Sequence, residues 1–126
     1  MFLLFAQLGI LTIVLILNTW LGEAWGAYER IWWWDIPTHF LGGVSAGLFS
    51  IWFLRRFGFR SIFISCVVGT LFIGTVWEIY EHFAGLGGST FMSYWADTIK
   101  DIVVDTLGAI TAGVAIYLER TLWQRK

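Results

Sequence analysis

Charge is scarce in this chain, and so are cysteine and proline. Only 13% of its 126 residues are Asp, Glu, Lys or Arg, against about 25% in an average soluble domain. One cysteine, Cys66, excludes an internal disulfide and leaves the redox compartment open. The single proline, Pro37, falls where a first helical turn tolerates it, because its missing N–H has no partner there. No charge precedes Glu23, and neither a basic leader nor a small-x-small cleavage site is present. A cleaved signal peptide is therefore not expected, and the first apolar stretch reads as a retained span. The net charge of -1 offers no basic surface, so nucleic acid is not expected as a partner. Repeats and low-complexity stretches are lacking as well.

What remains is apolar and aromatic. The chain is 58% hydrophobic, with nine Trp, eleven Phe and four Tyr, and its mean hydropathy is +0.73. In water such a chain would aggregate. Length and composition together predict one integral membrane domain.

Four stretches reach the roughly 20 residues that a helix needs to cross a bilayer core: about 2–21, 36–54, 61–83 and 98–119. The expected fold is all-α, an integral membrane four-helix bundle. Trp20, Trp25, Tyr28 and Trp32 to Trp34 fit an aromatic belt at the membrane surface between the first two spans, and this link suits a short interfacial helix. Gly43 and Gly47 in the second span, Gly69 and Gly74 in the third, and Gly108, Ala109, Ala112 and Gly113 in the fourth are small-residue faces. Such faces let helices approach closely, within the chain or in a homo-oligomer. A Gly-rich link over 85–96 joins the last two spans.

Six of the eight Lys and Arg lie on one side: Arg55, Arg56 and Arg60 between spans two and three, and Arg120, Arg125 and Lys126 at the end. The positive-inside rule then predicts a plasma (inner) membrane protein with both termini cytoplasmic.

Against this background stand eight ionisable residues at the outer ends of spans two to four: Asp35, His39, Glu78, Glu81, His82, Asp97, Asp101 and Asp105. Their spacing is helical. Asp35 and His39 are four apart, as are Glu78 and His82, while Asp97, Asp101 and Asp105 repeat the interval, so each set shares a helix face. At 1.5 Å per residue, Asp105 lies roughly 10 Å below the start of its span. A carboxylate at that depth costs about 2.5–3.5 kcal/mol on insertion scales, which makes a functional role the default reading. Six carboxylates cannot all stay ionised without counter-charge, and only Lys100 and Arg30 are near in sequence. A divalent metal ion is the expected cofactor. Carboxylates with imidazole suit Mn, Fe or Zn, whereas Mg or Ca would use the carboxylates and water. The metal ligands are expected among His39, Glu78, Glu81, Asp97, Asp101 and Asp105. His82 and Asp35 are the candidate catalytic acid–base groups. Simpler roles compete for some of them. Asp35 and Asp97 suit helix caps, His39 suits a hydrogen-bonded packing residue, and Glu81 and His82 suit a solvated interface.

At these residues the chain resembles a known family. DxxxHF followed by GG, then WExxE, then DxxxDxxxDTxGA, resembles the YjdF-like family of small multi-pass membrane proteins over roughly residues 35–113. The order of the acids more distantly resembles VanZ-like proteins. The resemblance implies a multi-pass membrane protein with Asp35, His39, Glu78, Glu81, Asp97, Asp101 and Asp105 at signature positions.

Three functions follow as expectations. The first is metal-dependent hydrolysis or transfer on an envelope lipid or lipid-linked phosphate, with membrane lipid as partner. No Ser, Cys or Lys nucleophile constellation competes with metal-activated water in this reading. The second is cation or proton binding for transport or sensing, without bond chemistry. Against a through-going path, the inner halves of spans two to four carry only Ser, Thr and Gly as polar relief. The third is a structural membrane subunit.

Overall fold

The computed structural model describes residues 2–85 and 91–123. Its elements are α1 (Phe2–Ile16), continued by a π-helical stretch (Leu17–Ala24), then α2 (Ala27–Arg30), α3 (Asp35–Arg55), α4 (Ile62–Ala84) and α5 (Tyr94–Trp123). No strand occurs among the described residues. Four helical stretches are long and apolar enough to cross a membrane: Leu3–Ala24, Asp35–Arg55, Ile62–Ala84 and Tyr94–Leu122. The fold is an all-α membrane helical bundle.

Local chemistry sets the helix ends. Gly26, at φ 75°, breaks the chain between the π-helical stretch and α2. Gly58, at φ 86°, reverses it after α3. Ser61 then caps α4, its hydroxyl accepting the Ile64 N–H at 3.3 Å. Gly85, at φ 69°, closes α4 in the left-handed region. The cap expected of Asp35 is not formed. Trp34 occupies that position without a side-chain bond, and the Asp35 carboxylate goes to Lys100 instead. Asp97 likewise lies inside the first turn of α5 and directs its carboxylate to Lys100.

The middle of the bundle is α3, which packs on α1, α4 and α5; α5 also packs on α4. The α3–α5 contact is the closest because small residues face each other. A methyl on Gly43 would run into the backbone of Asp105, and one on Gly108 into the Phe40 carbonyl. A methyl on Gly47 would come within 3.0 Å of the Ala109 Cα. Without side chains between them, the backbones meet and dispersion acts over the full contact, which is how helices associate where no hydrophobic drive exists. The buried apolar core is correspondingly small: Leu48, Ile51, Cys66, Ala109, Ala112 and Ile116. Large apolar groups instead cover the outside, among them Phe72 at 70% and Phe83 at 85% exposure. A bundle surrounded by lipid has no reason to hide them.

Candidate functional site

The polar residues gather near the N-terminal ends of α3 and α5 and the C-terminal end of α4. They form two layers that share Asp101.

The outer layer is organised by Lys100. Its ammonium contacts Asp35 across the α3–α5 contact, Asp97 at 2.7 Å and Asp101 Oδ1 at 3.2 Å. Charge-assisted contacts of this kind tie the start of α3 to α5. Asp35, Asp97 and Asp101 each offer an oxygen within 4.8 Å of the others, but one cation, the lysine, already touches all three.

Beyond Asp101, no Lys or Arg among the described residues pairs with the inner layer, whose own basic group is His39. His39, one turn into α3, lies between two carboxylates of α5. Its Nε2 is 3.7 Å from Asp101 Oδ2 and its Nδ1 is 3.4 Å from Asp105 Oδ1. Neither contact is a short hydrogen bond. Glu78 comes in from α4, and His39, Glu78 and Asp101 each place one donor atom within 4.8 Å of the others. Ligands at about 2.0–2.3 Å from an ion stand roughly 3–4.5 Å apart, so the three would need to contract only slightly to share one. Glu78 is 7% exposed, and its Oε1 is buried without a hydrogen-bond partner. Asp105 owes its place to glycine: a methyl on Gly74 would lie 2.9 Å from Asp105 Oδ2.

The inner layer opens into a groove of about 340 Å³. Leu11 and Val14 of α1 form one wall, Ile73 and Trp77 of α4 the other, and Gly42 and Ala46 of α3 the floor. His39, Glu81 and Asp105 line its outer end, and Gln7, Ser45 and Thr70 line it deeper down. Above it, the Tyr28 hydroxyl donates to Asn18 Oδ1 and lies 3.5 Å from the Thr38 hydroxyl. Burial, helped by nearby carboxylates and partly offset by Thr38, pushes the Tyr28 phenol up to about 12.

The expected residues thus fall into three groups. His39, Glu78, Asp101 and Asp105 come together, with Glu81 on the groove wall. Asp35 and Asp97 belong to Lys100. His82 stands apart: it is exposed, with its ring 5.1 Å from Tyr94 and 5.6 Å from Phe83. The Gly-rich link falls partly on residues 86–90, outside the described residues. Sequence reasoning passed over Gln7, the one polar side chain in the first ten residues of the first span, and Thr70. Gln7 could have been flagged by that isolation alone.

A helical membrane bundle with a buried carboxylate–histidine cluster is the class that fold and site define. The chain belongs to the family described as predicted membrane protein (DUF2238), whose model matches residues 2–122. No curated protein matches the chain, and no solved structure does.

Proposed function

We propose that this chain binds a divalent cation on His39, Glu78, Asp101 and Asp105 and acts, by hydrolysis or transfer, on the phosphate of a membrane lipid or lipid-linked phosphate. The observation that carries this reading is the inner donor set. Three side chains from three helices converge within 4.8 Å, and one of them, Glu78, is buried with an unpartnered oxygen. Burying such groups without a partner is unfavourable by several kcal/mol in a medium that lacks water. A shared cation relieves all of them at once.

Carboxylates alone repel phosphate. A divalent ion would reverse the local charge and supply Lewis acidity toward a phosphoryl oxygen. Imidazole among carboxylates favours Mn, Fe or Zn. Glu81, on the groove wall beside His39 and Asp105, is the carboxylate suited to exchange a proton with a bound molecule. It takes the role that sequence gave to His82 and Asp35, whose surroundings are the bundle exterior and Lys100. The apolar walls suit a hydrocarbon chain lying between α1 and α4. In the same reading the site faces the cell envelope, both termini are cytoplasmic, and the membrane is the plasma membrane, supported by Arg55, Arg56, Arg60 and Arg120 at the opposite end. The order of acid motifs further supports kinship with the YjdF-like proteins.

Elemental analysis of the purified full chain tests the reading. About one divalent ion per chain is expected, lost in Glu78→Gln and Asp105→Asn while helical content persists. Metal-dependent phosphate release from phosphatidic acid vesicles should accompany it. An ion without turnover would favour cation binding without bond chemistry. No ion in the wild type, with both variants folded, would sink the proposal.

A further inference from the structure

Seven of the nine described threonine hydroxyls bond to a carbonyl three or four residues earlier in their own helix, as Thr75 does to Leu71 at 2.7 Å. That is the ordinary way for a hydroxyl to satisfy itself in lipid. Thr70 does not do it. It is 1% exposed, and its hydroxyl has no partner among the described residues. Gln7, 8% exposed, likewise leaves its side-chain oxygen buried and unpartnered. The two residues sit on α4 and α1, and both line the groove. Each orphaned group is unfavourable while it stays desolvated and unpaired.

Their depth is fixed by the helices. The backbone carbonyl of Gln7 accepts the Ser45 hydroxyl at 3.2 Å, and Ser45 lies six residues beyond His39, about 9 Å along α3. Thr70 lies eight residues before Glu78, about 12 Å along α4. The groove, about 340 Å³ in volume, runs from His39 and Asp105 down to Gln7 and Thr70 and has room for a hydrocarbon chain. An all-hydrocarbon chain would leave both oxygens unsatisfied. A hydroxyl would serve both, donating to Gln7 Oε1 and accepting from Thr70. On an extended chain, 9–12 Å is about seven to ten carbons from the head.

We infer that Gln7 and Thr70 form a hydrogen-bonding subsite for a hydroxyl carried partway along a hydrocarbon chain of a membrane amphiphile. The placement of that amphiphile's head at His39 and Asp105 rests on the function proposed above; the subsite itself rests on Gln7 and Thr70.

Native mass spectrometry of the full chain with dodecyl phosphate and 8-hydroxydodecyl phosphate tests it. The wild type should bind the hydroxylated probe about tenfold more tightly. Gln7→Leu and Thr70→Val, which remove orphaned groups and leave the metal residues alone, should each bring the ratio close to one. Both variants should still bind dodecyl phosphate. In Glu78→Gln the ratio should persist while both probes weaken. A persisting ratio without that weakening would overturn the metal–phosphate reading and keep the subsite. Equal binding of the two probes by the wild type would overturn the subsite and leave the metal reading standing, with water as the partner of Gln7 and Thr70. So would a preference that survives both groove variants. Binding of neither probe would overturn both.

Discussion

Lys100 Nζ lies 3.2 Å from Asp101 Oδ1, and this pair divides the acidic cluster in two. On one side the lysine pairs with Asp35 and Asp97. On the other, Asp101 turns its second oxygen to His39. Replacing Lys100 by Met leaves three largely buried carboxylates without their cation. Breaking a buried pair in this way destabilises by about 3 kcal/mol or more, a fall of roughly 10 °C in the unfolding midpoint for a chain of this size. Since Asp35, Asp97 and Asp101 converge within 4.8 Å, added Mn or Zn should restore part of that loss in Lys100→Met, because an ion held only by the folded state stabilises it. An unchanged midpoint in detergent would show that the lysine is not the organising charge.

The two histidines are predicted to behave differently. His39 lies between Asp101 and Asp105 at 3.7 and 3.4 Å, so His39→Ala should lower cation affinity by about 10–100-fold, as loss of a ligand or its close support does. His82 is exposed beside Tyr94. His82→Ala should leave both affinity and midpoint nearly unchanged, within about 0.5 kcal/mol as for ordinary surface changes. Titration of the two variants with Mn checks the contrast, and equal losses would contradict it.

The sequence made the spans and the depth of the acids legible, because a carboxylate four residues from the next must share its helix face. It could not say how each helix is rotated. Glu81 and His82 are neighbours in sequence, yet successive residues are turned by about 100° on a helix; one lines the groove and the other faces outward. The same limit left Lys100 a nearby counter-charge with no assigned partners. Its contacts join residues 65 positions apart, and cap chemistry at Asp35 was an equally good local account. Gln7 and Thr70 escaped for another reason. Single neutral polar residues in a span normally satisfy themselves within their own helix, and only the fold reveals that these two do not.

Gly74 and Gly43 separate site from scaffold. Both face Asp105, but a methyl on Gly74 meets the end of its side chain, 2.9 Å from Oδ2, whereas one on Gly43 meets its backbone. Gly74→Ala should therefore shift the carboxylate and weaken cation binding about tenfold, with little loss of stability. Gly43→Ala must force α3 from α5 and should destabilise by about 1–3 kcal/mol, the usual range for overpacking. Thermal unfolding alongside Mn titration distinguishes the two. If both substitutions acted on stability alone, Gly74 would be a packing residue and nothing more.

Tyr28 links the first span to the site through Asn18 and Thr38, and its phenol, ordinarily near 10, is pushed up to about 12, chiefly by burial. In the unfolded chain the proton leaves near pH 10, while the folded chain keeps it to about pH 12. The folded state thus binds more protons across that interval, and stability present below pH 10 is lost as pH rises through 12. Partial exposure of the ring limits the loss to less than about 2 kcal/mol. Tyr28→Phe has no proton to release. It should lose about 1 kcal/mol at pH 8 with the bond to Asn18, then decline less steeply than the wild type between pH 10 and 12. Unfolding midpoints taken every half unit over that range decide the matter. Parallel curves for the two proteins would mean that the phenol is not held neutral by its burial against the end of the bundle.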